Sequence, residues 1–252
     1  MNGLLRLARH AAFCALDPAH MGRSYAQRER FNSAVFISPK LNFLFTKNEK
    51  CGNNSARRTL QNLVSDKPLP KDFSDTNRWF APLLQPSDLR LNDIEQLNAR
   101  IPFKFAIVRN PYSRVLSCWL NKFVVSGGKT QKYRKLVNAD REPSFAEFVE
   151  QICKQTPEEM DPHWRVQYYN IYCELIRYDE FVRFERMDEE FGAIVSRYSP
   201  HATIRNVRRG EFDAGAKIMQ HYTKPIARMV REKFAIDFEQ FGYADDLELA
   251  AG

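Results

Sequence analysis

The chain has no run of about 20 apolar residues of the kind a membrane-crossing helix requires. Its most apolar amino-terminal stretch, MNGLLRLARHAAFCAL, is interrupted by Arg6, Arg9 and His10. No small-residue cleavage site follows a clean apolar core there, which argues against a secretory leader. Cysteine is sparse: the five residues at 14, 51, 118, 153 and 173 form no CxxC pair, and an odd number fits thiols in a reducing compartment better than a disulfide framework. No HxxxH pattern, cysteine pair or carboxylate cluster has metal-ligand spacing, so no metal is expected. The absence of GxxxxGK followed by Ser or Thr weakens the case for an ATPase or kinase. Linkers, low-complexity tracts and internal repeats are missing too, and 252 residues with 44% hydrophobic content hold enough apolar material for one core. What is in excess is positive charge. A formal +7 points to an anionic ligand, nucleic acid or a membrane surface, although no compact nucleic-acid motif accompanies it. The expectation is a cytoplasmic protein, with peripheral attachment at the inner membrane face left open: a weakly structured segment over 1–30, one domain over 31–244, and a frayed tail over 245–252.

The chain is organised around FLFTKNEKCGNNSARRTL, residues 43–60. The apolar run Phe43-Leu44-Phe45 predicts a strand, the polar stretch with Lys50, Gly52, Asn53, Asn54 and Ser55 a turn, and Leu60, Leu63 and Val64 the buried side of a helix. Gly52 permits close approach of a ligand to the backbone, and the first N–H groups of a helix, at the positive end of its dipole, attract phosphate. Lys50 adds a mobile cation, and the Asn and Ser side chains add donors. Alone, the stretch reads equally as an ordinary strand-to-helix connection.

A second unit, FKFAIVRNPYSRVLSCWLNKF, begins at Phe103. Phe105 to Val108 predicts a strand covered on both faces. Asn110 is a candidate N-cap with Pro111 at the first helical position, and apolar residues at 112, 115, 116, 119, 120 and 123 form one helical stripe. Arg109, at the carboxyl end of a parallel strand, stands where open α/β sheets bind ligands, and Ser117 is close enough along the helix to share one phosphate with it. Arg114 is expected to pair with a carboxylate. Residues 65–86, with four prolines, predict an irregular surface excursion in which Trp79 and Phe80 pack or line an acceptor groove. The basic run from Lys129 to Lys135 reads as a solvated face.

Ser144 and Glu147 make a capping box for a short helix. His163, beside Trp164, is either a packing residue or a base near neutrality. A helix is expected after it, then strand-like segments over 175–178 and 181–184. Further on, a helix carries Phe191, Ile194 and Val195, a polar connection carries Arg205, Arg208 and Arg209, and Thr223 caps a helix that begins near Pro225. Phe238, Phe241 and Tyr243 are expected to fasten the chain end to the core.

Two phosphate-directed turns argue for a nucleotide bearing phosphates at two places. Here the sequence resembles the sulfotransferases, in particular the carbohydrate sulfotransferases of family 2 and their bacterial relatives. Lys50-Cys51-Gly52-Asn53-Asn54-Ser55 looks like the family's 5′-phosphosulfate loop, with Asn54 where Thr or Ser is usual. RNPYSRVLS, from Arg109 to Ser117, matches its 3′-phosphate motif, which Lys122-Phe123 continues. HWRVQ, from His163 to Gln167, resembles HWxPQ with Val166 in place of Pro. Tyr178-Asp179, Phe184-Glu185 and IDFEQFGY from Ile236 to Tyr243 resemble later family segments.

The resemblance implies a three-layer, P-loop-like α/β fold with a central, mainly parallel sheet, and 3′-phosphoadenosine 5′-phosphosulfate as donor. It assigns Lys50 to the charge developing on the bridging oxygen, Lys50, Cys51, Gly52, Asn53, Asn54 and Ser55 to the 5′ end, Arg109 and Ser117 to the 3′-phosphate, and His163 to the base. The acceptor it implies is a carbohydrate, glycan or glycolipid hydroxyl. Tyr168, Tyr169 and Tyr172 stack on sugar rings or pack in the core. The rival readings are a non-catalytic binder of an anionic polymer or nucleic acid, and a pseudo-sulfotransferase that holds donor without turnover.

Overall fold

The computed structural model describes residues 3–17, 21–65, 82–89, 93–125, 131–202, 204, 214–215 and 217–248. From the amino end, α1 (Gly3–Leu16) and α2 (Tyr25–Ala34) lead into β1 (Val35–Ser38) and β2 (Phe43–Thr46). After β2 comes α3 (Asn53–Val64); α4 (Ile94–Arg100) precedes β3 (Phe103–Val108), and α5 (Pro111–Trp119) follows it and runs into a π-helical turn, Leu120–Val124. Next come α6 (Gln131–Leu136), α7 (Phe145–Lys154), the single turn α8 (Gln167–Asn170) and β4 (Glu180–Arg183). The order closes with α9 (Met187–Tyr198), α10 (Ile218–His221), α11 (Lys224–Lys233) and α12 (Ala235–Phe241).

The sheet runs β1-β2-β3-β4, with β1 antiparallel at one edge and β2, β3 and β4 parallel. Phe45 pairs with Phe105, and Phe105 with Glu180. Successive side chains alternate between faces. Phe43, Phe45, Phe105, Ile107 and Val182 pack against Ala56 and Leu60 of α3 and Phe191, Ile194 and Val195 of α9. On the other face, Val35, Ile37 and Leu44 meet Phe13, Phe31 and Leu97, while Ala106 and Val108 meet Ile171 and Phe241. Both faces are therefore covered, as the unbroken apolar run of β3 requires. A further helical core gathers Val115 and Leu116 of α5, Phe148 and Ile152 of α7, Val230 of α11 and Trp164.

The helix starts follow local chemistry. Asn110 accepts a hydrogen bond from the Tyr112 N–H at 2.9 Å with Pro111 beside it, and Ser144 and Glu147 form the expected capping box. Thr223 stands at the N-cap of α11 in extended backbone, but its side chain makes no capping bond.

Several expectations change. Described residues within 1–30 are not loose: α1 buries Arg6, His10, Phe13 and Cys14, and α2 follows it. Polar contacts dock α1, with Arg6 Nε 3.6 Å from Asp88 Oδ1 and His10 Nδ1 2.8 Å from Asn32 Nδ2. Of the expected surface excursion, residues 66–81, including Trp79 and Phe80, lie outside the described residues, as do Lys129, Arg205, Arg208 and Arg209. Leu83 and Gln85 are buried, and Leu84 bridges Ile37 on the free side of β1. Residues 175–178 form no strand, because Tyr172 adopts φ 61° and its carbonyl accepts the N–H groups of Leu175 and Ile176, closing a turn over 171–175. Asp245 is held by its carbonyl, which accepts the Tyr112 hydroxyl at 2.7 Å, while 249–252 lie outside the described residues.

Candidate active site

The loops after β2, β3 and β4 open at one edge of the sheet, the carboxyl edge where parallel sheets place their ligands. In the first loop Lys50 and Gly52 both take left-handed backbone, at φ 70° and 72°. A β-carbon on Gly52 would stand 2.9 Å from Met187 Sδ, so glycine answers both the conformation and the close packing. α3 starts at Asn53 and turns the positive end of its dipole toward the loop.

Asn53 points inward. Its Oδ1 accepts the Asn48 N–H at 2.8 Å and its Nδ2 donates to Glu49 Oε2 at 3.0 Å, so its side chain shapes the loop. Asn54 is exposed and Ser55 half-buried. Burial lowers the Lys50 amine to about 8, with Arg109 and Lys122 pressing the same way and Cys118 and Glu49 opposing. Burial pushes the Cys51 thiol up to about 12, leaving it an unreactive packing group.

Arg109 joins the second turn to the first. Its Nη1 donates to the Lys50 carbonyl at 3.1 Å, its Nε to Ser113 Oγ at 3.0 Å, and the guanidinium lies 4.4 Å over the Phe184 ring. The two cationic turns thus meet, as a single doubly phosphorylated nucleotide demands. Burial lowers the Arg109 pKa from its ordinary value. Ser117 is buried on α5 and makes no hydrogen bond to Arg109 among the described residues; the hydroxyl at Arg109 is that of Ser113, one turn earlier. Ser113 lies four residues beyond Arg109, a helical spacing that could have flagged it.

The carboxylate expected for Arg114 is replaced by backbone. Its Nε donates to the Glu49 carbonyl at 2.9 Å, Nη1 to that of Arg165 at 2.8 Å and Nη2 to that of Pro162 at 3.1 Å. One guanidinium therefore fixes the residue before Lys50 to the residue before His163.

The residue whose role sequence reasoning left unassigned is Gln167, the last of the HWRVQ segment, fully buried at the start of α8. Its Oε1 accepts from Asn48 Nδ2 at 2.9 Å, the Arg109 N–H at 2.9 Å and Cys51 Sγ at 3.4 Å, while its Nε2 donates to the Arg109 carbonyl at 2.8 Å. The amide bolts both phosphate-directed turns together. Behind it, Asp237 accepts the Gln167 N–H at 2.8 Å and the Tyr168 N–H at 2.9 Å; burial raises its carboxyl to about 6 even though both bonds favour the charged form. Glu185 accepts the Asn110 N–H at 2.9 Å and the Tyr243 hydroxyl at 2.8 Å, so the segments around 110, 185 and 243 converge.

His163 is half-buried, with Nδ1 2.6 Å from Asp161 Oδ1 and its ring edge-on to Tyr133 at 5.7 Å. For Asp161, burial works to raise the pKa, but the hydrogen bonds from His163 outweigh it and hold the carboxyl below its ordinary value. A carboxylate on Nδ1 orients the ring and leaves Nε2 for proton transfer. Lys122, in the π-helical turn, donates to the Tyr133 hydroxyl at 2.8 Å, which connects the Lys50 side of the site to the His163 side.

The pattern of the Sulfotransferase family matches residues 33–244. Carbohydrate sulfotransferase 14 of Danio rerio is 27% identical over 238 residues, covering 86% of this chain and 64% of the relative. Its Mus musculus counterpart is 23% identical with 86% and 62% covered, and carbohydrate sulfotransferase 11 of Rattus norvegicus is 25% identical with 60% and 50% covered. The chain thus spans less than two thirds of the length of these curated relatives. No solved structure matches it. With the family pattern running from β1 through both cationic turns to the Tyr243 segment, the chain belongs to the sulfotransferase family.

Proposed function

We propose that the protein transfers the sulfuryl group of 3′-phosphoadenosine 5′-phosphosulfate to a hydroxyl of a carbohydrate acceptor. The observation that carries this reading is the 3.1 Å bond from Arg109 to the Lys50 carbonyl, which joins the two phosphate-directed turns at the carboxyl edge of the sheet. The relatives' names, carbohydrate sulfotransferase 14 and 11, support the acceptor class.

In this reading the loop from Lys50 through Ser55 holds the 5′ end. The backbone and the Asn54 and Ser55 side chains do so, since Asn53 is engaged within the loop. Arg109, with Ser113 and Ser117 on α5, holds the 3′-phosphate. Transfer forms a bond from the acceptor oxygen to sulfur and breaks the bond from sulfur to the bridging phosphate oxygen. Lys50 meets the negative charge that gathers on that leaving oxygen, and His163 takes the acceptor proton. Most of the rate then comes from positioning, which the Gln167 and Arg114 clamps supply.

The test is a melting-temperature comparison with adenosine 3′,5′-bisphosphate and with AMP. A clear upward shift with the bisphosphate and little with AMP is expected; equal responses would overturn the reading. The five free cysteines support a cytoplasmic location, a proposal that cell fractionation checks.

A further inference from the structure

The Asp161 carboxylate fixes one end of the His163 ring. Its Oδ1 accepts the His163 N–H at 3.0 Å and stands 2.6 Å from Nδ1, which sets where that nitrogen points. A single bond at Nδ1 still lets the imidazole plane swing about it, whereas a base must bring its free nitrogen within about 2.6–3.2 Å of the proton it takes. Glu49, the other carboxylate on which His163 acts electrostatically, is engaged by Lys47 at 3.4 Å and Asn53 at 3.0 Å.

An aromatic neighbour sets the plane. The Tyr133 ring stands at 84° to the imidazole with centroids 5.7 Å apart, and at 67° to the fully buried indole of Trp164 at 6.3 Å. Edge-to-face contacts of this kind favour one mutual orientation of the rings. Tyr133 belongs to the basic run of α6, where Lys132, Arg134 and Lys135 were expected on a solvated face. α6 has no fully buried residue, and Tyr133 and Leu136 are the side chains through which it packs on the helical core.

Lys122 holds Tyr133 from the other side. Its Nζ donates to the phenol oxygen at 2.8 Å and lies 4.3 Å from the ring centroid, with Lys132 at 5.6 Å from the same ring. Lys122 makes no ion pair among the described residues, so this phenol is the polar group that anchors it. The ammonium is delivered by the π-helical turn after α5, closed by a 3.0 Å bond from the Val125 N–H to the Leu120 carbonyl. That wider turn buries Leu120 and Phe123 and leaves Lys122, half-buried between them in sequence, free to reach α6. Such turns recur at functional sites. Burial, Arg109 and Lys122 together lower the Lys50 amine, which puts Lys122 between the donor loop and the histidine.

We propose that Tyr133 is a positioning residue for His163 and that Lys122 keeps it in place, so that the series Lys122, Tyr133, His163 aims Nε2 at the acceptor hydroxyl. The inference rests on the transferase reading above, in which His163 takes the acceptor proton. Tyr133 and Lys122 act on the rate through the imidazole and not through the reacting atoms.

Two measurements on the full chain test it. Nitrogen–proton correlation spectra of the histidine rings, with His163 assigned by the signals lost in His163→Gln, read the imidazole without turnover. The parent should show one sharp His163 environment with the proton on Nδ1, and Tyr133→Leu should displace or broaden it. The second measurement is transfer of labelled sulfate to a panel of methyl glycosides of hexoses, N-acetylhexosamines and hexuronic acids. Tyr133→Leu should lower kcat by about 10- to 100-fold and change the KM for donor less than about twofold, as for a misplaced base. Tyr133→Phe and Lys122→Met each remove the bond that holds the ring, so each should lower kcat by about three- to tenfold, and the double variant should be no slower than either alone. Melting temperatures show that each variant is folded. Unchanged His163 spectra in Tyr133→Leu would overturn the proposal, as would losses that multiply in the double variant, which would put Lys122 on the donor directly. No transfer to any glycoside, together with no melting shift from adenosine 3′,5′-bisphosphate, would sink the transferase reading, while the spectra still decide whether Tyr133 holds the imidazole.

Discussion

In the cradle around Gln167 the guanidiniums of Arg109 and Arg114 are sunk below the surface and tied to main-chain carbonyls, whereas beside Tyr172 the side chains of Arg23 and Arg30 are half-exposed, Arg23 paired with Glu174 and Arg30 bonded at 3.4 Å to the Ala26 carbonyl. The difference teaches where each region's rigidity comes from. Buried donors must be satisfied internally, because an unmade bond there costs about 1–3 kcal/mol. The cradle therefore arrives preformed, its geometry set by folding. Cations near water carry no such demand, because solvent satisfies the donors that the protein leaves unpaired.

Three changes sharpen that contrast. Lys50→Ala should reduce transfer of labelled sulfate by about 100- to 1,000-fold, the range for losing one donor to a developing oxyanion, with no loss of melting temperature. Retention of near-normal turnover would dissolve the catalytic assignment. Gln167→Ala leaves the Asn48 amide, the Arg109 N–H and the Arg109 carbonyl without the partner they share. Urea unfolding should show a loss of about 3–5 kcal/mol. Affinity for adenosine 3′,5′-bisphosphate should fall with it, whereas Arg30→Glu should leave unfolding nearly unchanged.

The smallest effect is a slope with pH. Asp237 titrates near 6 in the folded chain, against about 3.9 unfolded. Below pH 4 the carboxyl is protonated in both states and burial carries no charge. As pH rises from about 4 to 6 the unfolded chain gives up its proton while the folded chain keeps it, so this group's contribution declines by on the order of 2–3 kcal/mol and then levels off. Unfolding of Asp237→Asn, compared with the parent across that window, should lack this decline. Parallel curves for the two proteins would show that the buried carboxyl does not titrate there.

Much of the fold was legible because local chemistry and tertiary structure agreed. The apolar runs at 43 and 105, the Asn110 cap and the stripe of α5 each point the same way and hold. α1 was not legible for a physical reason: it buries Arg6 and His10 and turns Leu4, Leu7 and Leu16 outward, the reverse of the pattern from which a surface helix is read. In the site, meeting of the two cationic turns was predictable from their chemistry, but the clamps were not. Gln167 was visible as the last residue of the HWRVQ segment, but it carries no charge and lies 58 residues from Arg109, so the segment alone did not show that its amide joins the two turns. Arg114 misled because sequence shows charged partners and hides carbonyls, which every residue has. Asn53 misled for a related cause: a side chain able to reach a phosphate is equally able to fold back on its own loop.

Lys50 holds its left-handed backbone at a cost of roughly 1 kcal/mol that glycine would remove. Glycine would also remove the ammonium. Evolution toward a sturdier chain and evolution toward a faster enzyme therefore pull this one position in opposite directions, and a screen for heat resistance that ignores turnover should drift to glycine at 50 and return well-folded, silent protein.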